Sequence, residues 1–156
     1  QDDKAAIHAL SFSPNGLTLV SGDINGKLKF WNPYSRKLVR MLQPHSVRVT
    51  DIAFSPSGEF VASSSLDKNI YVYDMRFFST NPIVMNETAQ VFSLIFTNDN
   101  KKLITAPNKT GEYINVWPAQ SKVLSDQLCS KISRALTQEE WNSYIGSDIK
   151  YEKPCE

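Results

Sequence analysis

Cys129, Cys155, His8 and His45 are the side chains of this 156-residue chain best suited to nucleophilic or metal chemistry, and their spacing limits what they can do. Neither cysteine belongs to a CxxC pair, and two cysteines with two histidines cannot be arranged at zinc-finger spacing. Cys129 has no histidine near it in sequence to act as its base. Two readings of the cysteines stay open. They are reduced thiols, one packing as a small hydrophobe, or they form a Cys129–Cys155 disulfide, which would imply an oxidising compartment. Gly16, Gly22, Gly26 and Gly58 stand at turns or in strands, without the spacing or following helix of a phosphate loop. Neither a GxSxG elbow nor an HExxH pair occurs. Carboxylates fall singly in turns, apart from Asp2-Asp3 and Glu139-Glu140. The expectation is a non-enzyme with no catalytic residues, no metal and no cofactor.

Composition narrows the partners. Lys and Arg number 17 against 16 Asp and Glu, so no net field concentrates nucleic acid or an anionic membrane. No apolar run approaches the ~20 residues that span a bilayer. Hydrophobic residues make up 41% of the chain, enough for a packed core.

The elements that must position these residues repeat along the chain. Leu10-Ser11-Phe12-Ser13-Pro14-Asn15-Gly16 returns as Ile52-Ala53-Phe54-Ser55-Pro56-Ser57-Gly58, and more loosely as Leu94-Ile95-Phe96-Thr97-Asn98-Asp99-Asn100, at a step of 42 residues. A second marker runs in near phase: Leu28–Asn32, Ile70–Asp74 and Ile114–Pro118, with steps of 42 and 44. Within a unit, short strands are divided by Pro, Gly, Asn and Asp every 8–12 residues or so, which argues for an all-β fold. A fixed period of this length points to four-stranded units stacked radially, the propeller solution.

These motifs resemble the WD40 repeat, over roughly residues 3–120. The resemblance implies three blades, at about 3–43, 44–86 and 87–120. It also implies a polar lock in the middle blade: His45, Ser63 (or Ser65), Asp67 and Tyr73, with the Tyr73 hydroxyl ending the chain where the family has Trp. Asp3 and Glu87 fall where the outer blades would carry the histidine, so those blades are expected to lack the lock. By position, the family's partner-docking face would hold Lys4 and Asn25, Arg48 and Lys68, and Gln90 and Lys109.

Three blades do not close a ring, so large residues such as Trp31, Tyr71, Tyr73, Phe96 and Trp117 would leave two faces bare. Further blades, from the same protein or another chain, are expected to cover them, and the start at Gln1 fits a fragment of a longer propeller. Residues 121–156 differ in character. Thr137 to Glu140 form a capping box before a helix near 138–145, which Gly146 ends. The string from Cys129 through Arg134-Ala135-Leu136-Thr137 and Trp141 to Cys155 is similar to the tail of many bacterial WD-repeat proteins. That likeness implies a bacterial origin, with the propeller behind an effector domain. The functional expectation is a scaffold or sensor for a protein or peptide partner. The alternative is a structural lid or oligomerisation element for an upstream ATPase or protease. The expected compartment is the cytoplasm, or the periplasm or exterior if the disulfide forms.

Overall fold

The computed structural model describes residues 5–76, 82–108, 110–111, 114–120 and 123. Eleven strands make up the described part. The first sheet holds β1 (Ile7–Phe12), β2 (Leu19–Asp23), β3 (Leu28–Asn32) and β4 (Lys37–Leu42) in that spatial order. The second holds β5 (Val49–Phe54), β6 (Phe60–Ser65), β7 (Asn69–Asp74) and β8 (Ile83–Asn86). In the third, β9 (Val91–Phe96), β10 (Lys102–Pro107) and β11 (Asn115–Pro118) pair in chain order. All pairs are antiparallel. These are three all-β propeller blades, the last with three strands among the described residues. By contacts the chain divides into a unit Gln1–Ala119 and a second from Gln120 onward. The expected helix near 138–145 and both cysteines lie outside the described residues.

The repeat is visible in the turns. After β1, β5 and β9 a hydroxyl accepts the amide five residues on: Ser13 from Thr18 at 2.9 Å, Ser55 from Phe60 at 3.0 Å, Thr97 from Lys102 at 3.1 Å. The tight turn needs a left-handed residue three positions after the hydroxyl. Gly16 and Gly58 supply it at φ 71° and 75°, and Asn100 supplies it at 61°. The weaker third motif therefore builds the same turn.

Two apolar clusters bind the blades. Ala9, Val20, Leu28 and Phe30 of the first meet Val49, Ile52, Val61 and Tyr73 of the second. The far face of the second blade (Phe60, Ala62, Ile70, Val72, Met85) meets Val91, Leu94, Phe96 and Leu103 of the third. Strand alternation lets one blade present a face to each neighbour. At the ends of the array the equivalent positions are bare. Ile52 is 4% exposed but Leu10, 42 residues earlier, is 64% exposed. Ile70 and Val72 are 0% and 2% exposed, whereas Ile114 and Val116 are 62% and 54%. The open faces thus carry these aliphatics. Of the large residues expected there, Tyr73 and Phe96 are buried within the seams.

Candidate binding rim and the polar locks behind it

One end of the blades is closed by backbone bonds that repeat in register. The amides of Ile24, Leu66 and Asn108 donate to the carbonyls of Ala6, Arg48 and Gln90, each 18 residues back within its blade, at 2.9, 3.2 and 2.7 Å. A second series crosses the seams: His45 N donates to Gly26 O at 3.4 Å, and Glu87 N to Lys68 O at 2.8 Å. The β2–β3 turn of the first blade and the β6–β7 turn of the second therefore each hold the start of the next blade. Gly26 (φ 82°) is packed so closely that a Cβ there would sit 2.2 Å from the His45 carbonyl oxygen. Lys68 occupies the same place at φ 70°, against the preference of an L side chain.

Behind the rim lies the middle lock. His45, 2% exposed, stands with Nδ1 3.1 and 3.2 Å from the Asp67 carboxylate oxygens and Nε2 2.9 Å from Ser63 Oγ. Asp67 offers only acceptors, so Nδ1 carries the proton and Nε2 accepts from Ser63 in a neutral imidazole. Burial holds the His45 pKa below the usual 6.5 and outweighs Asp67, which raises it through charge and hydrogen bonding. Asp67 also accepts the amides of Ser46 at 3.0 Å and Asn69 at 2.9 Å, fixing the turn. The edge of Tyr71 meets the imidazole at 4.9 Å.

Tyr73 does not end this chain of bonds. Among the described residues no hydrogen bond joins it to Ser63, whose hydroxyl is turned to His45. The geometry explains the difference. An indole N–H leaves the side of its ring, as in Trp31 Nε1 to Ser21 Oγ at 2.9 Å, whereas a phenol oxygen lies at the ring tip. Tyr73 packs by its ring in the first seam, and burial pushes its pKa up to about 12.

The third blade does have a lock, contrary to the sequence reading. Glu87 accepts from Thr105 Oγ1 at 2.7 Å, Trp117 Nε1 at 2.9 Å and Asn115 Nδ2 at 2.8 Å while only 6% exposed. A carboxylate works here because all three partners can donate, and a buried carboxylate with three donors is satisfied. In the first blade the place of Ser65 is taken by Asp23 and that of Tyr71 by Lys29, with Oδ2 3.8 Å from Nζ and both side chains buried. Asp23 Oδ1 accepts the amides of Asn25 and Lys27 at 2.9 and 3.0 Å, while among the described residues Oδ2 has no hydrogen-bond partner. Asp3, at the histidine position of this blade, lies outside the described residues.

Four of the six residues expected on the docking face stand in these rim turns or at the strand starts beside them. Asn25, Lys68 and Gln90 are exposed and Arg48 is half-buried, and their backbones take part in the rim bonds or, for Asn25, accept Gln43 Nε2 at 3.4 Å. Lys4 and Lys109 lie outside the described residues. Among the described residues, no cluster of three metal-ligating side chains forms, and no helix is long and apolar enough to cross a membrane.

Stacked antiparallel blades, the first two four-stranded and the third with three strands among the described residues, define a propeller repeat protein. Residues 2–32 and 36–74 match the family model for the WD domain, G-beta repeat. The WD repeat and SOCS box-containing protein 1 of Xenopus tropicalis is 36% identical over 70 residues, 44% of this chain and 17% of that protein. Its Danio rerio counterpart is 37% identical over 70 residues, again 44% of this chain and 16% of the relative. The Periodic tryptophan protein 2 homolog of Dictyostelium discoideum is 25% identical over 153 residues, 96% of this chain and 16% of that protein. The chain thus spans 16–17% of the length of these relatives. All three are eukaryotic, which lends no support to the bacterial origin implied by the tail.

Proposed function

We propose that this chain is a protein-binding scaffold module, a run of blades within a larger propeller, whose partner docks on the rim around Asn25, Arg48, Lys68 and Gln90. The observation that carries this reading is the double series of rim bonds, which fixes the turns in place before any partner arrives. Preorganised loops lose little conformational freedom on binding, so their side chains contribute affinity with a small ordering penalty. The bare aliphatics at Leu10, Ile114 and Val116 support the companion reading, that further blades pack on the outer faces.

The test is selection of a displayed random peptide library on the full chain. Selected binders are then measured against a variant carrying Asn25→Ala, Arg48→Glu, Lys68→Glu and Gln90→Ala. A loss of roughly tenfold or more supports the rim, given the usual coupling of close charge pairs. Unchanged affinity for every selected binder would remove it.

A further inference from the structure

The charge of this chain is balanced overall but not locally. Between Ile24 and Thr50 stand Lys27, Lys29, Arg36, Lys37, Arg40 and Arg48, six of the 17 cations, and none of the 16 acids. Lys29 is turned inward to Asp23. The β3–β4 turn and β4 carry Arg36 and Lys37 exposed and Arg40 half-buried. Along the same strand Leu38, Val39 and Met41 are 46%, 70% and 52% exposed. β4 ends its sheet, pairing among the described residues with β3 alone.

The same position in the second blade is built differently. β8 has four residues and follows Pro82; Val84 is its one largely exposed apolar side chain, and it carries no cation. A short edge begun by Pro is how natural sheets discourage strand addition. β4 has six residues and no Pro. Its pairing with β3 has one register shift, which skips Val39 and leaves that side chain 70% exposed. Beside the strand a cavity of about 400 Å³ is lined by Arg40, Leu42, Tyr71 and Tyr73, among others, large enough for an aliphatic or aromatic anchor.

We infer that β4 is a strand-addition site for an extended polypeptide segment alternating acidic and apolar residues. The open edge bonds its backbone, Leu38, Val39 and Met41 take its apolar side chains, and Arg36, Lys37 and Arg40 take its acids. Backbone-to-backbone pairing is what distinguishes this occupant from a nucleic acid or a lipid surface, which would use the charge alone. The inference rests on the reading of the chain as a polypeptide binder but uses a surface apart from the rim.

The experiment titrates the full chain with a labelled hexapeptide alternating Glu with Val, and with the same peptide N-methylated at alternate residues. Heparin and single-stranded RNA are run as polyanion probes. Expected are binding of the plain peptide, loss on N-methylation, new amide-exchange protection within Leu38–Leu42, and a roughly tenfold or greater loss with Arg36→Glu/Lys37→Glu. The rim variant should leave this binding in place, so failure here and failure of the rim are separate results. Absence of binding, equal binding of the N-methylated peptide, protection on β8 instead of β4, or tighter binding of heparin or RNA would each overturn the inference.

Discussion

Thr105 donates its hydroxyl proton to Glu87 Oε1 over 2.7 Å, and this bond stands where Ser63 donates to His45 Nε2 one blade earlier. The donor keeps its direction while the acceptor changes from imidazole to carboxylate. Glu87→Ala would leave Thr105, Asn115 and Trp117 without their shared acceptor, at a cost of about 2–4 kcal/mol. Glu87→Gln sets an amide N–H₂ or a weaker neutral oxygen against the same donors and is expected to cost less. Urea unfolding of the two variants against the parent chain checks the order.

The His45 imidazole gives the fold a defined response to acid. Its pKa is lowered in the folded state, mainly by burial, so below about 6.5 the unfolded chain binds the proton first. Stability is therefore full above that pH and falls as pH drops towards the lower folded value, by at most about 1.4 kcal/mol per pH unit for one proton. His45→Gln should be less stable at neutral pH but lose this component of the slope. Unfolding midpoints at pH 7.5 and 5.5 for both chains test it; a parent chain equally stable at both would contradict the assignment.

Equivalent turns should respond with opposite sign. Lys68→Gly relieves a left-handed backbone at φ 70° and is expected to stabilise by roughly 1 kcal/mol. Gly26→Ala adds a Cβ 2.2 Å from the His45 carbonyl oxygen and should open the first seam, costing about 3 kcal/mol or more. Thermal melts of the two variants give the comparison directly.

For the buried Asp23–Lys29 pair, removing one partner should be worse than removing both. Lys29→Met leaves the Asp23 carboxylate buried without its cation and is expected to cost about 3–5 kcal/mol. Adding Asp23→Ser, which restores the residue type that the second blade has at this place, should recover most of the loss. A double-mutant cycle in urea measures the coupling.

Much of this was legible because the repeat is written in residues that make turns. Ser13 and Ser55, with the glycines three positions on, announce their turns, and the 42-residue step sets the three blades in phase. His45, Ser63 and Asp67 followed from the resemblance to a known repeat. The third lock was missed because Glu87 was read as a missing histidine; the signal was that Thr105, Asn115 and Trp117 all offer donors, so an acceptor of any kind would serve. The Asp23–Lys29 pair was hidden for a related reason: each residue alone looks like an ordinary solvated charge, and only their joint replacement of Ser65 and Tyr71 marks them as a buried unit. Tyr73 misled because a sequence match records that a side chain has a polar atom but not where on the ring that atom lies.

The seam bonds from His45 to Gly26 and from Glu87 to Lys68 use backbone atoms on both sides. A joint of this kind does not depend on the side chain of the residue that donates to it, imidazole in one seam and carboxylate in the other. Histidine could thus drift to glutamate, or the reverse, in one copy without misaligning the next. Inner wiring and outer fit are therefore separable in this chain, with histidine in one unit and glutamate in the next behind the same backbone joint.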